Sequence, residues 1–101
     1  MTYTRGYDSV INDVALTDDA RDVIRSYFGE DAVLEIKPVM PGEDFSAFTE
    51  AGCPGTFVEI GTRNPEKGTD KPHHNPAYMM DEDGLYYGLG LFAGIVEKKM
   101  L

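Results

Sequence analysis

Apolar positions recur at helical spacing over LTDDARDVIRSYFGED, where Ala20, Val23, Ile24, Tyr27 and Phe28 share one face. Thr17 suits the N-cap, Asp18 and Asp19 the first turn, and Gly29 the position just past the end. In AVLEIKPVM the run Val33, Leu34 and Ile36 predicts a short strand, which Pro38 ends or confines to an edge. MPGEDFSAFTEAG predicts a short helix from Gly42 to Gly52 with Phe45 and Phe48 on its buried face. TFVEIG, Thr56 to Gly61, reads as a second strand. The turn-rich stretch TRNPEKGTDKPHHNP follows, with prolines at 65, 72 and 76. A loop of that length inside a small domain is uncommon and usually functional or disordered.

MDEDGLYYGLGLFAGIVEKKML then predicts a long helix capped by Asp81. Leu85, Leu89, Phe92 and Val96 form one apolar stripe, and Tyr87, Leu91 and Ile95 a second. So wide an apolar surface predicts burial on most sides. Glycines 84, 88, 90 and 94 each weaken an isolated helix by about 1 kcal/mol relative to Ala, which points to close approach by a neighbour. The order helix, strand, helix, strand, long loop, helix predicts an α/β fold: a small parallel or mixed sheet of few strands flanked by helices. Residues 1–12, with Tyr3 and Tyr7 among polar neighbours, read as an arm or edge strand of this single domain, 1–101. Two or three strands are too thin a sheet for the last helix, which hints at a partner.

The formal charge of −9 argues against nucleic acid and anionic membranes, both of which select excess Lys and Arg. Cys53 is the lone cysteine, so no internal disulfide or CxxC site exists, and a reducing cytoplasm is expected. MTYTRGYDSV has no apolar signal core, and no run of eighteen apolar residues occurs.

His73 and His74, the chain's two histidines, stand just ahead of Asp81, Glu82 and Asp83. In an extended segment adjacent side chains diverge, so the two do not share one ion, and a tight zinc site needs three or four donors. Asp70, Asp81 and Glu82 have no diagnostic spacing from them, and on local sequence alone two solvated loop histidines are the favoured reading over a metal site. The acidic pairs at 18–19, 30–31, 43–44 and 81–83 mostly fall at expected helix starts, where the dipole accounts for them. Cys53 has no adjacent base to activate it. GLGLFAG lies inside a helix and is no phosphate loop.

Taken in order, MPGEDFSAF, CPGTFVEIGTRNPEKGT, HHNPAYMMDEDGL and the closing helix resemble the C-terminal end of the metal-dependent amidohydrolases. That group includes hippurate hydrolase, N-acyl-amino-acid deacylases and indoleacetyl-amino-acid hydrolases, within the aminoacylase and carboxypeptidase clan. YDSVIND is similar to the family's return into its catalytic domain, so the resemblance covers nearly the whole chain from Tyr7.

The resemblance implies an incomplete piece of a zinc-peptidase-like catalytic domain. In the family, divalent ions, zinc or manganese, activate water for attack on an amide, with a Glu as general base. The His-x-Pro motif implies His74 as a metal ligand, with His73 the possible alternative. Gly42, Glu43, Asp44 and Phe45 are implied to border the active-site cleft, and Gly61 and Thr62 its substrate side. The family's His-x-Asp, Cys and Glu-Glu motifs have no counterpart here, so no residue is assigned as catalytic. The implied function is a C-terminal fragment of an enzyme that cleaves N-acyl amino acids or small peptides, inactive alone. It would need the N-terminal catalytic portion or self-association. The alternative is a free-standing, non-catalytic module that binds metal or a partner, for example through histidines at a symmetric dimer interface.

Overall fold

A computed structural model describes all residues, Met1–Leu101. Its regular elements are α1 (Val14–Phe28), α2 (Ser46–Glu50) and α3 (Asp83–Met100), with 3-10 turns at Glu30–Ala32 and Pro65–Lys67. There is no sheet. The sole β pairing is an isolated antiparallel bridge between Asn64 and Thr69, which overturns the expected α/β layer. A strand needs a neighbour's backbone amides and carbonyls, and neither apolar run has one. Residues 34–43 make no backbone–backbone hydrogen bond, and Leu34 and Ile36 stay exposed. In the second run, side chains replace the ladder. Asn12 Nδ2 donates to the Phe57 carbonyl at 3.0 Å, and the Phe57 amide donates back to Asn12 Oδ1 at 2.8 Å. Beside them the Asp13 amide donates to the Gly55 carbonyl at 2.9 Å, and the hydroxyls of Thr17 and Thr56 pair at 2.9 Å.

That anchoring explains where α1 starts. Asp13, not Thr17, is the cap: its carboxylate accepts the Leu16 amide at 2.9 Å. Thr17 lies within the first turns and donates its hydroxyl to the Asp13 carbonyl at 2.6 Å. The exposed Val14 carries no periodic signal, so the extra turn is invisible to an apolar pattern. At the other end Gly29, at φ 91, closes the helix by donating its amide to the Arg25 carbonyl.

α1 and α3 pack antiparallel, α3 presenting its glycines rather than its large apolar residues. A Cβ at Gly94 would collide with Val23, and one at Gly90 with the Phe28 ring. Gly84 lies against Thr62, and Gly88 faces the end of the Ile60 side chain. Phe28 also meets the rings of Tyr87 and Tyr86, with centroids 4.9 and 5.6 Å away. At the far end Lys98 bridges Asp19 and Asp22, both at 2.9 Å, and Lys99 pairs with Asp19. The Tyr27 hydroxyl donates to Glu97 Oε2 at 2.6 Å, which raises the phenol's pKa because the neutral form is the donor.

The expected burial of α3 on most sides does not occur. Its stripe of Leu85, Leu89, Phe92 and Val96 lies open to solvent. Phe48 is likewise exposed, although its ring sits 5.6 Å from that of Phe45. The buried hydrophobic residues are Ala20 and Val23 alone. The accessible surface is 8484 Å², where a folded monomer of this mass exposes about 5,700 Å². The radius of gyration, 16.0 Å, likewise exceeds the ~13 Å usual at this length. No helix is long and apolar enough to cross a membrane.

Candidate functional site

The stretch from Thr62 to Thr69 folds back on itself because Asn64-Pro65 opens a turn that Gly68, at φ 73, closes. Asn64 and Thr69 exchange backbone hydrogen bonds at 3.2 and 3.0 Å. The Thr69 hydroxyl, buried, donates at 3.2 Å to the carbonyls of Thr62 and Asn64. Asp81 ties this loop to α3. Its carboxylate accepts Asn64 Nδ2 at 2.9 Å, Lys67 Nζ at 2.7 Å and the Asp83 amide at 3.2 Å. Its carbonyl accepts the Gly84 amide and its own amide donates to the Thr62 carbonyl. Asp81 thus does the capping expected of it, one residue ahead of the helix boundary at Glu82. Lys67, then Asn64, hold the carboxyl below the usual Asp range, and Asp81 and Asp83 push the Lys67 ammonium well up.

His73 and His74 are not in an extended segment. They are the central pair of a turn from Pro72 to Asn75, closed by the Asn75 amide on the Pro72 carbonyl at 3.4 Å. His74 has φ 63 and is the one non-glycine residue with a positive value, as the third position of a type II turn requires. Glycine is the usual occupant there, and a bulkier residue costs roughly 1–2 kcal/mol. The two imidazoles have different surroundings. His73 Nε2 lies 3.2 Å from the Tyr78 hydroxyl, with the rings edge-on at 4.9 Å. The exposed His74 makes no side-chain hydrogen bond or ion pair.

Thr62, Arg63, Thr69, Asp70, His73 and Tyr78 line most of an open depression of about 430 Å³. Of the residues singled out in the sequence, Thr62 and His73 meet here. Gly61 and His74 are exposed and are not among its lining residues. The Gly42–Phe45 turn belongs to a different cluster. The Phe45 ring packs on Gly55 and stands 5.3 Å from Phe57, while Glu43 accepts the Phe45 amide. Glu43 and Asp44 make no hydrogen bond or ion pair with the histidine turn. Arg63 and Tyr78 lie inside the quoted motifs without being singled out there; the clue available is their position, Arg63 at the start of the turn-rich stretch and Tyr78 two residues past its end.

No three His, Cys, Asp or Glu side chains are gathered closely enough to hold an ion. The donors present therefore do not fit a complete metal centre, and Asp81 is already committed to Lys67 and Asn64.

Comparison with known proteins gives this arrangement a lineage. The chain is 37% identical over 82 residues to thermostable carboxypeptidase 1 of Saccharolobus solfataricus, covering 81% of this chain and 20% of that protein. It is 35% identical over 85 residues to IAA-amino acid hydrolase ILR1-like 2 of Arabidopsis thaliana, covering 84% and 19%. With ILR1-like 4 of the same plant, the identity is 30% over 95 residues, covering 94% and 21%. The chain thus spans about a fifth of the length of the curated relatives it matches. No solved structure matches it significantly. The family model for peptidases M20/M25/M40 matches residues 1–98, with the anchored second run, the Asn64–Asp81 knot and the histidine turn all inside the match, and the chain belongs to that family.

Proposed function

We propose that this chain is the C-terminal part of the catalytic domain of a metal-dependent amidohydrolase that cleaves N-acyl amino acids or small peptides. Its own contribution to metal binding is a single donor, His74. Members of the family generally depend on divalent metal, and the reading takes zinc or manganese as the ion. The observation that carries it is the state of His74: an exposed imidazole, without a partner, on a turn position that favours glycine. Strain of that kind persists where a side chain is needed for something besides folding. In this reading Gly42–Phe45 and Gly61–Thr62 border the cleft. The other ligands and the general base come from outside this chain, which hydrolyses nothing alone. The surface in excess of a folded monomer, much of it on α3, supports a partner. The single exposed Cys53 suits a reducing, cytoplasmic setting.

The test is calorimetric titration of zinc and manganese into the chain and into His74→Gly, which removes the donor and suits the turn. The expected result is weak binding by the wild type, further reduced by the substitution, with no hydrolysis of N-acyl amino acids. Hydrolysis by the chain alone, or weak binding unaffected by His74→Gly, sinks the assignment of His74. A second reading rests on both histidines being exposed at the tip of one turn. There, two copies bridge an ion as a non-catalytic module. Tight binding that is lost in His74→Gly and accompanied by dimerisation selects it.

A further inference from the structure

The outer face of α3 has no neighbour in this chain. Leu85, Leu89, Phe92 and Val96 stand there between 53% and 75% exposed. Their spacings of four, three and four residues are those of the seam of a two-helix coiled coil, where side chains of one helix seat in gaps of the other. The net charge of −9 opposes two copies meeting, yet α3 from Gly84 to Val96 carries no charge at all. The area is sufficient as well. The chain exposes about 2,800 Å² beyond a folded monomer of its mass, and a stable interface takes about 800 Å² from each partner.

The seam reads the same from both ends. Leu85 and Val96 are equidistant from a midpoint between Gly90 and Leu91, and so are Leu89 and Phe92. The next pair outward, Glu82 and Lys99, is equidistant too, and its charges are opposite. Glu82 is exposed and its side chain makes no hydrogen bond or ion pair. Lys99 pairs with Asp19, which Lys98 also holds at 2.9 Å, so Lys99 can turn to another carboxylate without stranding Asp19. Two antiparallel copies therefore set Leu85 against Val96, Leu89 against Phe92, and Glu82 against Lys99 at both ends. Parallel copies would set Glu82 on Glu82 and Lys99 on Lys99.

We propose that the outer face of α3 docks a second copy of this chain, the two helices antiparallel about a two-fold axis at the level of Gly90 and Leu91. Such an interface is self-complementary, the same patch serving on both copies, so the assembly closes at two. The apolar seam supplies the attraction, and the Glu82–Lys99 pairs at its ends fix direction and register. The pairing calls on no metal and does not rest on the amidohydrolase reading.

The experiment is sedimentation equilibrium over rising concentration in chelator-treated buffer, on the chain and on Glu82→Lys, Lys99→Glu and the double reversal. The wild type is expected to approach twice 11.2 kDa and stop there. Each single reversal puts like charges together at both ends and is expected to weaken the dimer about fivefold or more. The double reversal restores opposite charges and is expected to return the affinity to near the wild-type value. Lys99→Glu also faces Asp19, so disulfide trapping gives a second readout that leaves this contact intact. In a Cys53→Ala background, Leu85→Cys and Val96→Cys chains are expected to link to each other when mixed and oxidised, and scarcely to themselves. A wild-type monomer at every concentration overturns the proposal and leaves the face to another segment or protein. Growth past the dimer overturns it too, because a closed pair has no free seam. So does Leu85→Cys linking to itself as readily as to Val96→Cys, or a folded double reversal that dimerises no better than the single ones.

Discussion

Gly94 and Gly88 sit in the same helix, six residues apart, yet Ala at the two positions should act in opposite directions. Each substitution gains about 1 kcal/mol of helix propensity, because Gly loses more backbone freedom on folding. At Gly88 the added methyl meets only Ile60 Cδ1, at 3.1 Å. That atom ends a flexible side chain on a half-exposed residue and can move aside by a few tenths of an ångström. Most of the propensity gain should survive. At Gly94 the methyl collides with Val23 Cγ1 and lies 3.1 Å from Tyr27 Cε2. Val23 is β-branched, held in one rotamer by its helix, and 5% exposed. Tyr27 is tethered through its hydroxyl to Glu97 on α3 itself. Neither neighbour can yield without parting the helices, and overpacking of that kind costs typically 1–3 kcal/mol. Gly94→Ala should therefore be neutral to about 2 kcal/mol destabilising, and the two variants should differ by about 1–3 kcal/mol. In a domain of this size each kcal/mol shifts the melting midpoint by about 4–8 °C. Thermal unfolding followed by circular dichroism should place the Gly88→Ala midpoint above wild type and the Gly94→Ala midpoint at or below it. If Gly94→Ala rises as far as Gly88→Ala, the glycine face of α3 is not what α1 packs against.

Acid should act through Asp81. Its carboxyl is held below the ordinary value in the folded chain, so its stabilisation is full above the unfolded value of about 3.9 and is lost as pH falls through the folded one. Asp81→Asn should lower stability at neutral pH and flatten the decline below about pH 4; parallel acid-unfolding curves for the two proteins would refute the link. The same pair raises Lys67, whose contribution is complete below about pH 10.4 and fades only as pH rises through its higher folded value. The open α3 stripe should make the isolated chain associate: sedimentation should show a concentration-dependent rise in mass with binding of an apolar dye. Replacing Leu89 and Phe92 with Glu should suppress both, and a dye-negative monomer at every concentration would remove the partner from the proposal.

The site was legible in the sequence where its parts are local. Asn64-Pro65 and Gly68 announce a turn, and Asp81 announces a helix start, because turn and cap chemistry act over a few residues. The companions of those residues were not legible. Asn64 and Lys67 reach Asp81 across 17 and 14 positions, and nothing in local spacing marks such pairs. The histidine turn reads as extended from the sequence for a related reason. Its φ 63 residue is His and not Gly, so the usual marker of a type II turn is missing.

The sequence by itself determined the helices, which close their hydrogen bonds internally, and the family, which is written in ordered motifs. It also determined that α3's glycines mark a close approach. Only the tertiary structure decided that the two apolar runs have no ladder, since a strand exists through its neighbours. It likewise decided that Asn12 and Asp13 hold the second run in place of a strand, and that α3 turns its glycines inward and leaves Leu85, Leu89 and Phe92 in solvent. Apolar pattern states which residues gain from burial, but the surface available to bury them depends on which parts of the chain meet.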